Sequence, residues 1–571
     1  MTRTNAAIAY HDGDYTTHQP LLVGRHSATS GFLRAFVRHA EVDRYYAYAR
    51  SADQFAAFER QVTEWSRQTV DGSMADAHVQ TDRTGAETVW IPIEDTSRLA
   101  EPGCLYVSDP RLAPFAWQRR YSGSRRYSLC SVNHTLVETE IMQQLGDLLT
   151  APVQSWDALV CTSPAAKAVI VRLLDGWADY LCDRIGATAP DCVVQLPVIP
   201  LGVDADAWAP TPERLAAGRD LRSRRGVGAS DIVILFAGRL SYLDKAHPLP
   251  MFAGAEEAVR RTGRSIHLFL IGQYAHPSMR EHFIEAARTF CPSVPVHLLD
   301  GRQSAVYDAV WNAADVFCSL SDNIQETFGL TPLEAMAAGL PVVASDWDGY
   351  RASVIDGETG FLIPTLAPPA GTGDELAFRY ESGIDGYGSF CGYTALCTAV
   401  DIDATAGAFV RLVEDAELRR RMGEAGMRRV RAHYDWPLVI GQYQELWAEL
   451  AARRAVDTEL LARMPDTPAN PLRDDPFRLY ADFPTAILSP DDVLQLGRDM
   501  TPARITQLGS AAMNRYAQPV LASEDETVAV IRRLAAGPCR VADLLAPVAL
   551  ERRERLWRTL VWLVKVGIAR A

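Results

Sequence analysis

The sequence predicts an α/β fold in which two successive halves each form a parallel sheet covered on both faces by helices. Short apolar runs alternate with helical patterns up to about residue 200, and the same alternation begins again near residue 230. Strands that are apolar along their whole length are typical of parallel sheets, because both faces of such sheets are buried. The chain of 571 residues is also too long for one hydrophobic core, so about three domains are expected.

The first half contains apolar runs that predict strands and longer patterns that predict helices. The predicted strands are Ala6–Tyr10, Val89–Ile93, Cys104–Val107, Tyr127–Val132 and Ala158–Cys161, and the predicted helices include Phe32–His39 and Pro164–Leu181. Val193–Ile199 then leads into PLGVDADAW. This Pro-, Gly- and Asp-containing run predicts a linker between the two halves.

The second half repeats the pattern with a further series of apolar runs. Residues 366–392 are rich in Gly, Pro and Tyr and predict an irregular insertion, whereas residues 402–450 predict helices. The predicted strands are Ile232–Ala237, Ile266–Ile271, Val296–Leu299, Val316–Leu320, Pro341–Ala344 and Gly360–Ile363. Ligands of such a sheet are expected at the carboxyl ends of the strands, in the cleft between the halves.

Two carboxylates stand beside a predicted helix start in residues 320–365. Glu326 and Glu334 are separated by seven residues. Between them, Thr331 is predicted as the N-cap, Pro332 as the first helical residue and Glu334 as the third, which would close a capping box. The helix start offers backbone N–H groups to an anion, and the carboxylates can accept hydrogen bonds from hydroxyls. This combination suits a sugar nucleotide.

The run ETFGLTPLEAMAAGLPVV resembles the E-x7-E signature of retaining GT-B glycosyltransferases of family 4. Weaker similarity extends from the N-terminus to about residue 450. The resemblance implies two Rossmann-like domains that face a cleft. The implied domains are an N-terminal acceptor domain (1–205), a C-terminal nucleotide-sugar donor domain (206–400), bracing helices that cross back to the first domain (401–455) and a helical extension of unknown role (456–571).

The same resemblance implies roles for the residues around the signature. Glu326 is expected to accept hydrogen bonds from the donor sugar, although a solvated loop acid is the alternative. Glu334 is expected to bind the ribose hydroxyls, with the capping box as its alternative role. The donor-binding set also includes Phe328, Gly329, Leu330 and Thr331, and Gly301 in the turn after a strand is a candidate for the base pocket.

Two cations follow the first strand of the second half. The strand ends in Gly238-Arg239, and Lys245 follows six residues after the arginine. In the family these cations hold the nucleotide diphosphate. Fixed positive charge is what a departing phosphate requires, because charge builds on it as the glycosyl bond breaks. The family usually has Gly after the lysine, whereas Ala246-His247-Pro248 follows here, which puts the local backbone in doubt.

Two elements of the first half complete the expected site. His134 follows a predicted strand, where the family often has a His close to the reacting carbon; a purely structural histidine is the alternative. The run from Gly24 through Arg25 to Ser30 and Gly31 is interpreted as the loop that approaches the phosphate or the acceptor. The family has Gly-Gly at the end of this loop. A single glycine still permits close approach of the backbone.

No metal or other cofactor is expected. Three D-x-D runs occur, at residues 12–14, 204–206 and 346–348, but such a short pattern arises by chance in an acidic chain. The charge of −14, from 57 basic and 71 acidic side chains, argues against a nucleic-acid partner. The ten cysteines form no C-x-x-C pair, and the sequence lacks both a leader pattern and a long apolar run. A cytoplasmic protein, with contact at the inner membrane face as a weaker expectation, is therefore predicted.

The last part of the chain is not covered by the resemblance. It is predicted to form helices at Glu524–Ala536, Arg540–Leu545 and Ala549–Val566. The last of these has an apolar stripe that includes Trp557 beside several arginines. A basic amphipathic helix can lie on a membrane surface. Packing into its own small bundle or into a subunit interface is the favoured interpretation, so a homo-oligomer is expected through this extension.

The sequence as a whole predicts a retaining hexosyltransferase, with Glu326, His134, Arg239 and Lys245 as its catalytic residues. Its donor is expected to be a UDP-, GDP- or ADP-linked sugar, and its acceptor a hydroxyl compound. Synthesis of a cell-surface glycan or glycoconjugate is one context for this reaction. A GT-B sugar phosphorylase or sugar-nucleotide epimerase stays open as an alternative, as does a non-catalytic binding or regulatory protein.

Overall fold

The computed structural model describes residues 4–15, 24–67, 87–186, 188, 190–274 and 276–571. Met1–Ala469 form one compact unit, and Asn470–Ala571 form a second. Two six-stranded sheets, parallel throughout, lie in the first unit. They confirm the predicted α/β class with two Rossmann-like sheets, the GT-B arrangement. The predicted boundaries of the individual domains stay predictions.

The first sheet has the strand order β3-β2-β1-β4-β5-β6. Its strands are β1 (Ala7–Ala9), β2 (Arg44–Ala49), β3 (Glu87–Pro92), β4 (Cys104–Val107), β5 (Ser128–Val132) and β6 (Ala158–Val160). All five strands predicted in this half are present. Only β2 was missed. Its sequence RYYAYA carries tyrosines where the other strands carry aliphatic side chains, yet all but its first residue are buried.

The second sheet has the order β12-β11-β10-β7-β8-β9. Its strands are β7 (Ile232–Ala237), β8 (Ile266–Gly272), β9 (Val296–Asp300), β10 (Val316–Ser319), β11 (Val342–Ser345) and β12 (Gly360–Ile363). Every strand predicted here is confirmed to within one residue at each end. Both sheets change winding direction at their centre, between β1 and β4 and between β7 and β10. Loops diverge at such a switch point and leave a crevice at the carboxyl ends of the strands.

The helices of the first unit cover these sheets, and their ends follow local capping rules. Ser163 accepts a hydrogen bond from the Ala166 N–H, and Pro164 takes the first helical position. In the first half the helices are α1 (Gly24–His39), α2 (Ala52–Arg67), α3 (Leu112–Arg119), α4 (Thr139–Gly146) and α5 (Pro164–Ile185). From the linker onward they are α6 (Ala205–Trp208), α7 (Pro212–Arg224), α8 (Leu249–Thr262), α9 (Pro277–Phe290), α10 (Ser304–Ala313), α11 (Leu330–Ala337), α12 (Tyr350–Ser353), α13 (Asp374–Glu381), α14 (Tyr387–Leu396), α15 (Ile402–Glu414), α16 (Ala416–His433) and α17 (Trp436–Val456).

Two segments differ from their predicted conformation. Residues 24–31, predicted as a loop, form the first two turns of α1. Residues 366–392, predicted as irregular, contain all of α13 and the start of α14, and the short strands β13 (Thr365–Leu366) and β14 (Ala399–Val400) pair at the base of this insertion. The Arg379 side chain donates to Asp385 at 2.6 Å, and the Tyr380 and Phe390 rings stack at 4.5 Å. These contacts hold the two helices together.

Helix α17 packs against the first half of the chain. Helix α17 returns to the first half, where Tyr443 and Trp447 join the core formed by β1, β4 and α1. The Tyr443 ring meets Phe32 edge-on at 4.9 Å, and the Trp447 ring meets Phe36 at 5.7 Å. Aromatic contacts of this kind add to the free energy gained by burying apolar area. The two halves are therefore tied together by one continuous packed seam.

The second unit is an α/β unit rather than a purely helical one. The predicted helices are confirmed as α21 (Glu524–Ala535), α22 (Val541–Leu545) and α23 (Leu550–Lys565), and they pack against a three-stranded antiparallel sheet of β15 (Val493–Leu496), β16 (Cys539–Arg540) and β17 (Ala569–Arg570). Short helices α18 (Pro476–Leu479), α19 (Pro502–Ser510) and α20 (Ala512–Arg515) precede them. The strands were missed because two of them are only two residues long.

The apolar stripe of α23 is buried inside this unit. Leu556, Leu560 and Leu563 are fully enclosed in its core. The neighbouring arginines bind groups of the same unit: Arg552 pairs with Glu526 at 2.8 Å, and Arg558 donates to the Val520 carbonyl at 2.9 Å. The stripe therefore packs into the helix's own bundle, as the favoured interpretation held. None of the described helices combines the length and apolar character that a membrane span requires.

Candidate functional site

The candidate site lies at the switch point of the second sheet. Strand β7 ends at Ala237 and continues into Gly238-Arg239, and the neighbouring strand β10 ends at Ser319 and continues toward Glu326. The carboxyl ends of these two strands bring both loops to the same edge of the sheet. The crevice is where nucleotide ligands bind to sheets of this order.

Arg239 donates hydrogen bonds to two side chains, one of which is held in turn by a third. It donates to Asp244 at 2.5 Å and to the Gln325 side chain at 3.2 Å. Tyr387, at the start of α14, donates to the same oxygen of Gln325 at 3.1 Å. The guanidinium is therefore fixed in place, with a carboxylate on one side and a hydrogen-bonded amide on the other.

Lys245 forms an ion pair with Glu326 in the same crevice. The Nζ–Oε2 distance is 2.5 Å, and the side chains are 28% and 12% exposed. Burial alone would raise the pKa of Glu326, but Lys245 and the backbone N–H groups of Phe328 and Thr327 reverse this effect and hold the pKa below its ordinary value. Glu326 is thus ionised and paired with Lys245, and its predicted contact with the donor sugar stays a prediction.

The segment after Lys245 is tied to the loop that follows β10. The His247 N–H donates to Asp322 at 3.3 Å, the Ser321 hydroxyl donates to the Lys245 carbonyl at 3.2 Å, and the Asn323 amide donates to the Leu243 carbonyl at 2.8 Å. The departure from the family's glycine therefore leaves an ordered turn. Burial raises the pKa of Asp322 to about 7, although the His247 N–H opposes the shift.

His134 lies beside the Glu326 loop, across the cleft. The Thr327 hydroxyl donates to the His134 carbonyl at 2.6 Å, and the Ser163 hydroxyl donates to the Thr327 carbonyl at 2.7 Å. Both bonds join the two halves of the first unit. His134 is therefore brought to the predicted site, and its backbone carries the observed contact. The role of its ring in catalysis stays a prediction.

The turn before α11 differs from the predicted capping box. Gly329 is the N-cap, with a left-handed φ of 84°, and no side chain caps the helix. The helix begins at Leu330, two residues earlier than expected, so Thr331 is its second residue and Glu334 makes no capping bond. Phe328 is buried in the core of the second half. Only its backbone faces the predicted donor site.

Glu334 lines a separate cavity of about 310 Å³ between the halves. The other walls come from α1, α10, the linker and α17, and they include Ser27, Gly31, Arg34, Arg38, Asp204, Trp208, Asp308, Leu330 and Trp436. Glu334 Oε2 is enclosed and has no hydrogen-bond partner among the residues that the structure describes. Burial raises the pKa of Glu334 to about 7. A ligand with hydroxyl donors would satisfy this oxygen.

The remaining predicted residues have mixed positions. Gly31 belongs to α1. A Cβ added to it would lie 3.1 Å from the Trp436 ring, so the absence of a side chain lets the helix pack closely there. Gly24 and Ser30 are also helical, and the side chain of Arg25 lies outside the described residues. Gly301 donates its N–H to the Gly272 carbonyl at 3.1 Å, at the carboxyl edge of β8 and β9. The predicted phosphate or acceptor loop is wrong as a loop, because its turn-forming residues are packed as a helix.

Three further residues of this site were not predicted from the sequence. Asp244 and Gln325 orient Arg239, and Tyr387 comes from the insertion that was predicted to be irregular. Asp244 could have been predicted from the sequence, because an enclosed cation such as Arg239 requires an acidic partner nearby. Within the described ranges, no three His, Cys, Asp or Glu side chains are grouped closely enough to hold a metal ion.

The buried carboxyl of Glu334 should make the stability of the folded protein depend on pH. The folded-state pKa of about 7 exceeds the ordinary value of 4.5, so the folded protein retains a proton that the unfolded chain releases. The protein therefore loses stability as pH rises from 4.5 to 7, by at most about 3 kcal/mol at about 1.4 kcal/mol per pKa unit. We expect Glu334→Gln to remove this loss.

Thermal melts of wild type and Glu334→Gln between pH 4 and pH 8 measure the effect. The variant should gain stability relative to wild type as pH rises, and the two should converge at low pH. Glu213→Gln, an exposed change at the start of α7, is the matched control. A constant difference across the pH range would contradict a buried, unpaired carboxyl at position 334.

The candidate site lies in a segment of the chain that matches a model of a known protein family. Residues 231–376, which carry Arg239, Lys245, Glu326 and Glu334, match the family model described as Glycosyl transferases group 1. The matched segment holds the whole second sheet.

Curated relatives match the chain over part of their length. D-inositol 3-phosphate glycosyltransferase of Corynebacterium glutamicum is 27% identical over 46% of this chain and 54% of its own length. Phosphatidyl-myo-inositol mannosyltransferase of Mycobacterium leprae is 28% identical over 44% of this chain and 53% of its own. The chain thus spans about half the length of these relatives. The solved structure of Anabaena Alr3699/HepE in complex with UDP covers 78% of this chain and 100% of its own, at 14% identity and a TM-score of 0.49.

Proposed function

We propose that this protein is a retaining glycosyltransferase that moves a hexose from a nucleotide diphosphate sugar to a hydroxyl acceptor. The observation that carries the proposal is the cluster of Arg239, Lys245 and Glu326 at the switch point of the second sheet, inside the segment that matches the glycosyltransferase family model. Two fixed cations and an ionised acceptor at one sheet edge suit a diphosphate joined to a hydroxylated sugar.

The two cations stabilise the departing nucleotide diphosphate. Asp244 and Glu326 hold them in the crevice before the donor arrives, so little reorganisation is needed when charge develops on the phosphate. Lys245 then exchanges part of its contact with Glu326 for a phosphate oxygen. The released carboxylate oxygen accepts a hydrogen bond from a sugar hydroxyl.

Glu334 and its cavity are assigned to the nucleoside. The enclosed Oε2 lacks a partner within the described part of the chain, and the paired hydroxyls of a ribose would supply one. The acceptor hydroxyl approaches from the first half, where His134 lies. The departing phosphate accepts its proton on the same face of the sugar, so that the anomeric configuration is retained and no enzyme nucleophile is used.

Nucleotide release across a panel of sugar nucleotides tests the function. UDP-, GDP- and ADP-linked hexoses are incubated with acceptors that include D-inositol 3-phosphate, the compound in the name of one relative. Acceptor-dependent release, with the product's anomeric configuration read by NMR, is the expected result. Turnover without acceptor, or dependence on inorganic phosphate, would indicate an epimerase or a phosphorylase. Binding without turnover of any donor would indicate a regulatory protein.

Activity is expected to persist when divalent metals are removed. Arg239 and Lys245 supply the positive charge that a metal ion gives in other transferases, so EDTA should leave the rate unchanged. The comparison is nucleotide release before and after chelation, with manganese and magnesium added back. Loss on chelation and recovery with either metal would contradict the cationic assignment.

The second unit is expected to be dispensable for donor binding. All the residues assigned to the donor lie in the first unit, which ends at Ala469. A chain truncated after Ala469 should therefore retain nucleotide binding, measured by calorimetry. We propose that the second unit makes a homo-oligomer, so truncation should reduce the number of chains per particle, calculated from the light-scattering mass divided by the mass of one chain. An unchanged number of chains, together with salt-sensitive binding of the full chain to anionic liposomes, would favour a membrane-surface role.

A further inference from the structure

Asp348 has a strained backbone at the carboxyl edge of the second sheet. It lies in the loop that leaves β11, and its φ is 33°, in the left-handed region that residues other than glycine rarely adopt. A glycine at this position would adopt the same conformation without cost. The strained aspartate is therefore retained at the expense of stability, as residues at ligand sites often are.

The Asp348 loop packs directly beneath the Glu326 turn. The Trp347 indole N–H donates to the Asn323 carbonyl at 3.0 Å. The neighbouring Gly349 approaches the turn so closely that a Cβ there would lie 2.5 Å from Phe328 Cα. These contacts fix the loop on both sides of Asp348 and set its carboxyl near Glu326 and Lys245.

The Asp348 carboxyl is enclosed and only partly satisfied. Its Oδ1 accepts a hydrogen bond from the Gly349 N–H, whereas Oδ2 is buried without a partner among the described residues. An unpaired polar atom of this kind costs free energy unless something binds it. Asp346, two residues earlier, differs: its carboxylate is 44% exposed and pairs with Arg351 at 2.8 Å.

The charges around Asp348 favour its neutral form. Burial raises its pKa well above the ordinary value and the charge of Glu326 adds to the shift, whereas Lys245, the Tyr350 N–H and Arg351 oppose it. Lys245 is already paired with Glu326. One lysine therefore serves two carboxyl groups, and the second keeps its proton. Asp348 presents one O–H donor and acceptor oxygens close to the ionised Glu326.

We infer that Asp348 is a donor-sugar residue whose carboxylic acid hydrogen-bonds a hydroxyl of the transferred sugar, next to the hydroxyl bound by Glu326. The inference rests on the proposed function, because it requires a nucleotide sugar in this crevice. An ionised carboxylate beside a protonated one matches neighbouring sugar hydroxyls, each of which can donate and accept. A site of this kind rejects a sugar that lacks one of those hydroxyls, because its own polar groups are then left unpaired.

Kinetics of Asp348 variants with sugar nucleotides deoxygenated at single positions test the inference. Asp348→Gly removes the carboxyl and the backbone strain, so its melting temperature should equal or exceed that of wild type while kcat/KM falls by about 10²-fold. Asp348→Asn keeps a neutral donor and acceptor and should stay within about 5-fold of wild type. Asp346→Asn, on the exposed side of the loop, is the matched control.

The deoxy sugars identify the contact. One of them should be a poor substrate for wild type yet lose nothing further in Asp348→Gly, because the hydroxyl and the carboxyl are the two ends of one interaction. Equal kcat/KM and equal discrimination in wild type and Asp348→Gly would overturn the inference. An Asp348→Asn protein as impaired as Asp348→Gly would overturn the neutral-acid assignment. If wild type itself turns over no sugar nucleotide, the proposed function fails instead.

Discussion

Lys245→Ala and Arg239→Ala are each expected to lower turnover by about 10²-fold or more, the usual effect of removing one fixed charge that stabilises a transition state. Both cations are held before the donor arrives, Arg239 by Asp244 at 2.5 Å and Lys245 by Glu326 at 2.5 Å. A charge oriented in this way cannot be replaced by solvent. Initial rates of nucleotide release, at saturating and at low donor concentration, measure the loss.

Loss of the ion pair between Lys245 and Glu326 should also change the stability of the folded protein. Lys245→Ala leaves Glu326 enclosed without its cation, so the pKa of Glu326 should rise and the melting temperature should fall more at high pH than at low pH. Arg260→Ala, on the surface of α8, is the control, because Arg260 is 71% exposed and its partner Glu257 keeps a second ion pair with Arg261. Wild-type rates in both Arg239→Ala and Lys245→Ala would remove the basis of the donor site.

The strands of the fold could be predicted because their signal is local. Runs such as Ile232–Ala237 are apolar throughout, and a buried parallel strand requires little else. The tyrosine-rich β2 carries that signal less plainly. The two-residue strands β16 and β17 carry none, because their pairing with β15 depends on contacts distant in sequence.

The start of α1 could not be predicted from its own residues. Gly24, Ser30 and Gly31 favour a turn when considered locally. In the folded protein, Gly31 packs against the Trp436 ring of α17, more than 400 residues away. Tertiary packing therefore overrides local propensity, as it often does for helices on a seam.

The sequence identified the charged residues of the candidate site, but it did not identify the side chains that hydrogen-bond to them. Arg239, Lys245 and Glu326 were found from strand ends and from the signature. Their partners Asp244 and Gln325 lie on separate loops, and a sequence does not state which side chains meet across a crevice. The capping box failed for a related reason, because a left-handed Gly329 shifts the helix start by two residues.

Gly329→Ala is expected to lower both the stability and the activity of the protein although it changes no charge. Gly329 has a φ of 84°, and a Cβ at this position would lie 2.0 Å from a carbon of the Tyr350 ring. The ring is buried, and its hydroxyl shares a hydrogen bond of 2.8 Å with Ser319, so it cannot move aside without breaking that bond. Backbone strain and overpacking together should lower the free energy of unfolding by about 2–4 kcal/mol.

The same substitution should reduce turnover by about 10²-fold, because relief of the clash displaces the turn that carries Glu326 and the start of α11. Gly357→Ala is the matched control: Gly357 has a φ of 75°, but no atom lies within 4 Å of the added Cβ. It should therefore lose about 1 kcal/mol from the left-handed backbone alone and keep its activity. Denaturant titration and initial rates, measured side by side, separate the two effects. Equal losses in both variants would show that the Tyr350 contact contributes nothing, and that the position of the turn does not depend on it.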